Sequence, residues 1–354
     1  MMKLRCYQDA IVERLSKLFW AGEPSALVRA PTGSGKTVMA MMFIRMIEDE
    51  FKEKYGREMV VFWVTKRRNL LSQGAATADA CGIKTTIQYR TMFENRNAFT
   101  KADLVVLDEA HSDACSSAQA VYHVCKPMFS LGLSATPFRT DKGLLSFKHT
   151  IWESDYRQLI DLSYLSKFVE YYLPEWTPKS VTDLYLSDTK RFGKSVMFFK
   201  DRASADEAKE LLLAAGIAAD TIYSSDGKVH REDAIAKLES GKIKVLINLN
   251  ILTEGFDCPS LKTVFVKKTG SKSESIQMGG RVLRLWKNMK KNIVQTVEAE
   301  YPFSAAVNCP PREKFRVHED LTLERVDVNE KIEALITSTV DKLNAIASLG
   351  SLKL

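Results

Sequence analysis

The sequence has no long apolar run and no paired cysteines, and each absence argues against a class of protein. No stretch of its 354 residues approaches the roughly 18 consecutive apolar positions of a membrane span. The first ten residues, MMKLRCYQDA, lack the apolar core of a secretory signal. The six cysteines are scattered without a Cys-x-x-Cys pair, which argues against a zinc site and fits a reducing compartment. We therefore expect a soluble, cytoplasmic chain that binds no membrane.

The composition that is present is that of a folded globular protein. Apolar residues make up 45% and charged residues 27% of the chain, and its length suffices for two domains with well-buried cores. The formal net charge is +7 and the sequence pI is about 8.9. A basic excess of this size suits a polyanionic partner such as nucleic acid, although many proteins without such a partner are equally basic.

Short apolar runs alternate with helix-like segments along the first half of the chain. The run VMAMMFIRMI at residues 38–47 is apolar on nearly every side, as in a helix packed against a sheet. Strands are predicted on either side of it, at residues 25–30, 59–64, 84–87, 104–107 and 129–134. This β-α-β rhythm predicts an α/β fold with a parallel sheet and helices on both faces.

The rhythm stalls at residues 151–178, where Pro174, Trp176 and Pro178 lie among mixed polar residues. We place the junction between two domains there. The rhythm then resumes, which predicts a second, smaller α/β domain without a phosphate loop. Its strands are predicted at residues 195–199, 219–223, 244–248, 263–266 and 292–297, and its helices at 204–215 and 230–239.

The predicted organisation is a first domain at residues 1–160, a second at 161–300, and a short C-terminal extension at 301–354. Apolar positions at helical spacing between residues 329 and 347 predict that the extension ends in an amphipathic helix. This helix either docks on the body of the protein or forms a contact with another chain.

Residues 30–37 read APTGSGKT and match the phosphate-loop pattern Gly-x-x-x-x-Gly-Lys-Ser/Thr, with Ala30 at the first glycine. The segment follows a predicted strand and precedes a predicted helix, which is the context that such a loop requires. Lys36 would reach the β- and γ-phosphates of ATP, and the Thr37 hydroxyl would bind Mg²⁺. The remaining nucleotide-binding positions, whose backbone would curl around phosphate oxygens, are Pro31, Thr32, Gly33, Ser34 and Gly35.

Residues 108–111 read DEAH and follow the apolar run at 104–107. A buried strand there would deliver Asp108 to the carboxyl edge of the sheet, where α/β proteins bind ligands. We expect Asp108 to hold Mg²⁺ and Glu109 to orient or deprotonate the attacking water. His111 is predicted either to relay between domains or to cap the next helix.

Small hydroxyl residues follow the next predicted strand, in the segment SATP at residues 134–137. Ser134 and Thr136 could hydrogen-bond the acidic residues of DEAH and so sense the bound nucleotide. The same residue types before a proline are also typical of a plain turn, and the residues alone favour the turn.

A phosphate loop, DEAH, SAT and a second α/β domain with QMGGRVLR occur in this order, and together they resemble the superfamily 2 helicases. The sixth motif of that family, Gln-x-x-Gly-Arg-x-x-Arg, is matched by Gln277, Gly280, Arg281 and Arg284. The resemblance covers residues 4–284. It is closest to the group that holds the xeroderma pigmentosum B-type repair helicases, the restriction-enzyme motor subunits and small phage helicases, and it implies the host cytoplasm for a phage-encoded chain.

The resemblance implies two tandem RecA-like domains with ATP bound in the cleft between them. LRCYQ at residues 4–8 is similar to the adenine-reading segment, which would place Gln8 and Arg5 at the base; the same residues are also typical of the start of an amphipathic helix. LTEGFD at 252–257 resembles the fifth motif. Gly255 would allow a tight turn there, and Asp257 would couple the nucleotide to the bound strand.

The second domain would complete the ATP site through Gln277, Arg281 and Arg284. The two arginines lie three residues apart on a predicted helix, so both would point to one face. Across the cleft they would stabilise charge on the γ-phosphate, as arginine fingers do.

The resemblance also implies nucleic-acid contacts, mainly to the phosphate backbone, which makes binding sensitive to salt and insensitive to sequence. For any single lysine or arginine in this set, a solvated surface position is an equally good interpretation. The predicted contacts are Thr65, Arg67, Thr91, Lys200 and Thr253, with Lys267 as a further candidate.

We therefore expect an ATP- and Mg²⁺-dependent helicase or translocase, a monomer that acts on DNA rather than RNA and moves 3′-to-5′. Three alternatives stay open. The chain could translocate on double-stranded DNA without separating the strands, it could be a motor subunit of a restriction or defence complex that contacts partners through the C-terminal extension, or it could act on RNA.

Overall fold

The structure is a computed structural model that describes residues 3–66, 69–112, 115–136, 147–152, 154–249 and 258–326. The chain divides into two compact units, Met1–Asp155 and Tyr156–Leu354, and each has its own sheet. Among the described residues, no helix is both long and apolar enough to cross a membrane. The predicted amphipathic helix at 329–347 lies outside the described residues.

The first unit contains six strands and four α-helices among its described residues. The strands are β1 (Ser25–Arg29), β2 (Val61–Thr65), β3 (Ile87–Thr91), β4 (Leu104–Asp108), β5 (Phe129–Ser134) and β6 (His149–Ile151). The helices are α1 (Cys6–Trp20), α2 (Lys36–Tyr55), α3 (Asn69–Cys81) and α4 (Ser116–Cys125), with 3₁₀ turns at Arg96–Ala98 and Ala110–Ser112. The strands pair in parallel in the order β3-β2-β4-β5-β1-β6. The predicted parallel α/β sheet is confirmed.

Aromatic residues pack α1 and α2 against the first sheet. The Phe19 ring lies 6.0 Å from that of Phe43 and 5.9 Å from that of Phe129, edge to face in both cases. The helix predicted at 38–47 is confirmed within α2, which begins after Gly35 and ends at Gly56, two glycines with left-handed φ values of 86° and 67°. Since the start of α2 is fixed by this packing, the segment before it is held against the sheet as well.

The predicted strand at 84–87 is displaced, because β3 begins only at its last residue. The Glu48 carboxylate of α2 accepts hydrogen bonds from the backbone N–H groups of Lys84 and Thr85, each at 2.9 Å. These two residues are therefore tied to a helix rather than to a neighbouring strand.

The second unit contains eight strands and seven α-helices among its described residues. The strands are β7 (Phe168–Leu173), β8 (Ser195–Phe198), β9 (Ala219–Ile222), β10 (Val245–Asn248), β11 (Thr263–Phe265), β12 (Lys291–Thr296), β13 (Glu313–Val317) and β14 (Leu323–Val326). The helices are α5 (Tyr156–Asp161), α6 (Pro178–Ser187), α7 (Thr189–Phe192), α8 (Arg202–Ala214), α9 (Lys228–Ser240), α10 (Lys272–Gly280) and α11 (Phe303–Val307). The sheet order is β14-β13-β7-β12-β11-β8-β10-β9, and only the pairing of β13 with β14 is antiparallel. Part of the predicted C-terminal extension thus belongs to this sheet.

Residues 151–178 were predicted to interrupt the α/β rhythm and to hold the junction between the domains. The division between the two units does fall in this stretch, after Asp155, but the rhythm is not interrupted, because β7 lies there in the interior of the second sheet. The strand was not predicted because Glu170, a charged residue, lies in the middle of its apolar sequence. In the structure, Glu170 is fully buried. Its carboxylate accepts hydrogen bonds of 2.8 Å from the Ser304 backbone N–H, the Ser304 hydroxyl and the Tyr172 hydroxyl. A buried polar group satisfied in this way is compatible with a central strand.

Candidate active site

The phosphate loop, DEAH and SAT meet at one edge of the first sheet. β1, β5 and β4 are neighbours in parallel register, with Arg29 paired to Ser134 and Asp108 paired to Leu133. The carboxyl ends of these strands therefore lie side by side. The Ala30 backbone N–H donates a hydrogen bond of 3.1 Å to the Ser134 carbonyl, so the phosphate loop is attached directly to the SAT segment.

The phosphate loop leaves β1 and turns sharply into α2. Gly33 and Gly35 have φ values of 82° and 86°, a left-handed conformation that glycine adopts at little cost. Lys36 folds back over the loop, and its Nζ donates to the carbonyls of Ala30 at 3.3 Å and Pro31 at 3.5 Å. Thr37 is half-buried in the first turn of α2. The loop thus places an ammonium group and a hydroxyl at the positive end of a helix.

The start of α1 packs against the same loop. The Gln8 amide donates to the Ser34 carbonyl at 2.9 Å and accepts from the Arg5 backbone N–H at 3.0 Å. The Tyr7 hydroxyl donates to the same carbonyl at 2.5 Å, and Arg5 donates to the Tyr7 hydroxyl at 3.4 Å. Arg5 and Gln8 therefore lie beside the phosphate loop at the start of α1, which agrees with the interpretation as a helix start. Their predicted place at the adenine base stays a prediction.

DEAH begins at the last residue of β4. Asp108 is 9% exposed, and its Oδ1 accepts a hydrogen bond of 3.1 Å from the Glu109 backbone N–H. Glu109 has a φ of 57°, a left-handed value that is uncommon for a residue with a side chain. His111 lies in the following 3₁₀ turn, with its Nδ1 3.4 Å from the Glu109 Oε2. The sharp turn at Glu109 thus separates the directions of the two carboxylates.

Ser134 and Thr136 are fully buried at the end of β5. The Ser134 hydroxyl donates to the Thr136 carbonyl at 2.9 Å and accepts from the Thr136 backbone N–H at 3.1 Å. This pair of bonds is the turn that the residue types favoured. Their predicted role in sensing the nucleotide stays a prediction.

The second unit carries Gln277 in α10, and Gln277 and Arg281 are each 8% exposed. The prediction that both arginines lie on one helix is wrong. α10 ends at Gly280, Arg281 lies in a 3₁₀ turn, and Arg284 follows that turn with extended backbone angles. The consecutive glycines explain the early end, because glycine is a poor helix former. Burial lowers the pKa of Arg284 to about 10, so its guanidinium stays charged near neutral pH.

The predicted nucleic-acid contacts differ in how exposed they are. Thr65 and Thr91 are paired at the ends of β2 and β3, but their side chains are 0% and 5% exposed. Thr91 is closed off by Glu94, whose Oε1 accepts from the Thr91 N–H at 2.9 Å. Lys200 is exposed just beyond β8. Of the remaining predicted site residues, those outside the described part of the chain are Arg67, Thr253, Gly255 and Asp257.

One contact beside the phosphate loop was not predicted from the sequence. The Arg29 guanidinium, one residue before Ala30, lies 3.8 Å from the centroid of the Trp152 ring. Trp152 follows β6, which pairs with β1, and its ring N–H donates to the Ser154 carbonyl at 3.1 Å. No local sequence signal connects the two residues, because only the pairing of an edge strand brings them together.

The donors at this edge fit a magnesium-bound nucleotide. The Thr37 hydroxyl and the Asp108 carboxylate are oxygen ligands, which Mg²⁺ prefers. Lys36 and the N-terminus of a 20-residue helix supply positive charge for phosphates.

Comparisons with known proteins agree with this architecture. Residues 1–89 match the family described as Type III restriction enzyme, res subunit, and residues 176–285 match the family described as Helicase conserved C-terminal domain. A protein named as a candidate helicase of the Sulfolobus islandicus filamentous virus is 26% identical, over 77% of this chain and 60% of its own length. IRC3 of Saccharomyces cerevisiae, named as a candidate ATP-dependent helicase, is 25% identical over 80% of this chain and 49% of its own length.

Solved structures share the fold. The Type ISP restriction-modification enzyme LlaBIII, bound to DNA, is similar with a TM-score of 0.64 and 15% identity, over 83% of this chain and 27% of that protein. Dbp5 of Saccharomyces cerevisiae, bound to RNA and ADP BeF3, is similar with a TM-score of 0.61 and 15% identity, over 95% of this chain and 97% of that protein.

Two RecA-like domains, a phosphate loop and the two family matches define the class: this chain carries a helicase-like core. Within that class, the matched families and relatives support a likeness to superfamily 2 helicases of the restriction-motor and phage type. It spans 49% to 62% of the length of the first curated relatives that it matches.

Proposed function

We propose that the protein hydrolyses ATP when it binds DNA and uses the hydrolysis to move along a single strand in the 3′-to-5′ direction. The observation that carries the proposal is the shared edge of β1, β5 and β4, since it assembles Lys36, Asp108 and Glu109 in one place. The net charge of +7 is consistent with a polyanionic partner.

Each side chain has a role in this proposal. Lys36 binds the β- and γ-phosphates, and Thr37 and Asp108 hold Mg²⁺, which supplies charge neutralisation at the transferred phosphoryl group. Glu109 orients the attacking water or accepts its proton. Arg281, Arg284 and Gln277 act from the second unit, where the two guanidinium groups stabilise the charge that develops on the γ-phosphate.

DNA is favoured over RNA because of the restriction-enzyme relatives. The res-subunit family matches residues 1–89 of the first unit, and the similar LlaBIII structure is bound to DNA. RNA is the alternative, and the likeness to Dbp5 bound to RNA supports it.

The test is the rate of ATP hydrolysis by the purified chain with single-stranded DNA, duplex DNA, forked DNA or RNA of the same sequence. We expect single-stranded and forked DNA to stimulate hydrolysis most. Lys36→Ala is the control and should show no hydrolysis with any of them, because the phosphates lose their ammonium partner. A chain that hydrolyses ATP equally well with and without every nucleic acid would contradict the proposal.

A second candidate is a motor that moves on duplex DNA without opening it, as part of a larger restriction or defence complex. Two observations favour this candidate. Residues 1–89 match a restriction-subunit family, and the match to IRC3 spans only 49% of the length of that relative. Displacement of a third strand from a triplex, without displacement of a strand from a fork, would support this candidate over a helicase. Activity that appears only with a partner protein would point to the complex.

A further inference from the structure

A cavity of about 300 Å³ opens at the carboxyl edge of the second sheet. Its walls come from the residues that follow β7, β8, β11 and β12, which are four consecutive parallel strands. The lining includes Trp176, Phe199, Lys200, Lys267 and Thr296. Aromatic, cationic and hydroxyl groups thus converge on a space large enough for one nucleotide.

The topology of the sheet creates this crevice. β11 and β8 are neighbours, yet β11 connects to β12 on one side whereas β8 connects to β9 on the other. The two connections leave in opposite directions, so a gap opens between the strand ends. Such a switch point is where open α/β sheets bind ligands. Lys267 follows β11, and Lys200 follows β8.

The aromatic wall is held in place by its flanking residues. Trp176 lies between β7 and α6, half-buried, with its ring 6.4 Å from that of Phe199. Thr177, the next residue, caps α6 by accepting a hydrogen bond from the Ser180 N–H at 3.1 Å, and Pro178 follows. The backbone that follows Trp176 is therefore held by the start of α6, and the indole lies beside Phe199.

The charges around the cavity favour a ligand with few phosphates. Three lysines face three carboxylates in the lining. Asp201 is engaged as the cap of α8 through Ser204, and Glu298 lies 2.8 Å from Lys268. Lys267, only 8% exposed, lies 3.6 Å from Glu274. A near-neutral lining of this kind suits one phosphodiester with its base better than a triphosphate.

We propose that this cavity holds one nucleotide of the bound single strand, with its base against Trp176 and its phosphate at Lys200 and Lys267. The inference rests on the proposed function, because the ligand is part of the strand along which the protein moves. Base stacking on an aromatic ring tolerates any sequence, so it provides a grip on each base without sequence recognition.

The test compares an oligothymidylate strand with a strand of the same length whose central nucleotides are abasic, using fluorescence anisotropy. The native chain should bind the abasic strand about tenfold more weakly or worse. Trp176→Leu keeps an apolar side chain but has no ring, so it should bind both strands equally, at the level of the native chain with the abasic strand. Trp176→Phe should keep most of the discrimination, and Leu213→Ala, at an exposed apolar residue of α8, should behave like the native chain.

Two further measurements separate the base contact from the phosphate contact and from misfolding. Lys267→Met should weaken the binding of both strands alike and reduce the slope of log affinity against log salt by about one. Trp176→Leu should not change that slope. Circular dichroism checks that Trp176→Leu folds. If it does not, the intrinsic tryptophan fluorescence provides the test. Oligothymidylate should quench this fluorescence in the native chain, the abasic strand should not, and Trp176→Phe should lose the quenching.

The outcomes distinguish this inference from the proposed function. Equal binding of both strands by the native chain, or undiminished discrimination by a folded Trp176→Leu variant, overturns the base pocket while leaving a strand-dependent ATPase intact. A native chain that binds no nucleic acid overturns both.

Discussion

At the residue scale, the phosphate loop depends on a glycine whose missing side chain leaves room for a neighbour. Gly35 has a φ of +86°, and a Cβ placed there would lie 2.6 Å from the Gln8 Nε2. The same amide donates to the Ser34 carbonyl. Gly35 therefore permits both the left-handed turn and the approach of Gln8 to the loop.

We predict that Gly35→Ala destabilises the chain by about 1–2 kcal/mol through its backbone conformation alone and also abolishes ATP hydrolysis by displacing Gln8. Gly56→Ala is a matched control at the other end of α2, because Gly56 has a φ of +67° and a Cβ placed there would meet nothing within 4 Å. Urea unfolding should show a similar loss for both variants, and only Gly35→Ala should lose activity. Equal ATPase rates would contradict the role of this contact.

The Glu109 carboxylate, which is expected to act on the attacking water, gives a second prediction at this scale. Glu109→Gln keeps the shape of the side chain and removes its ability to accept a proton, so hydrolysis should fall by roughly 100-fold or more. ATP binding, measured with a fluorescent analogue, should stay close to that of the native chain. Glu13→Gln, at an exposed position of α1 on the same unit, is the control. Hydrolysis near the native rate in Glu109→Gln would remove Glu109 from its proposed role.

At the element scale, most strands could be predicted from short apolar or β-branched runs, including β9 and β12, which each carry a charged residue. β4 and β5 were placed correctly. β7 was missed, because Glu170 breaks the pattern and its partner Ser304 is 134 residues away. The contact of Glu170 with Ser304 joins distant segments, and no local pattern encodes it. The end of α10 was missed although its consecutive glycines, Gly279 and Gly280, are a local signal against helix. Gly279 is also required by a distant contact, because the Phe303 ring would lie 2.2 Å from a Cβ there.

Glu170 also makes the second sheet sensitive to pH. Burial raises its pKa above the ordinary value of 4.5, and the hydrogen bonds from Ser304 and Tyr172 offset only part of that effect. Between 4.5 and the raised pKa, the folded chain binds more protons at this site than the unfolded chain does. The free energy of unfolding therefore falls as pH rises through this window.

We predict that Glu170→Gln, which cannot ionise, lacks this decline. Urea unfolding at pH 5 and pH 8 should show the variant gaining stability relative to the native chain as pH rises. Glu210→Gln, at an exposed position of α8, should keep a constant difference from the native chain. A difference that is also constant for Glu170→Gln would show that Glu170 does not titrate differently in the folded state.

At the scale of the whole molecule, the sequence identified the order of the motifs but not the surroundings of each side chain. Lys36, Asp108 and Glu109 were found because their spacing along the chain follows from strand–loop–helix geometry. Thr65 and Thr91 were predicted to contact nucleic acid because of their positions in the sequence, yet both residues are buried. The sequence analysis named Trp176 only as part of a predicted interruption. Its place in a cavity could not be predicted, because four strands form that cavity only in the folded chain.

The proposed reaction needs both units, and Arg281 tests that requirement. It is 8% exposed in the second unit, whereas Lys36 lies in the first. An arginine that stabilises transferred phosphoryl charge contributes roughly 10³-fold or more to the rate. Arg281→Ala should therefore lose hydrolysis by about that factor while the affinity for ATP, set largely by the phosphate loop, changes little.

Arg281→Lys should be almost as inactive as Arg281→Ala, because a lysine keeps the charge but not the two-pronged geometry of the guanidinium. Its retained charge controls for simple loss of a buried cation, and thermal unfolding checks that both variants fold. Arg325→Ala, at a side chain that is 64% exposed in β14, controls for removal of an arginine elsewhere in the same unit. Single-turnover hydrolysis by Arg281→Ala at the native rate would remove Arg281 from its proposed role at the γ-phosphate.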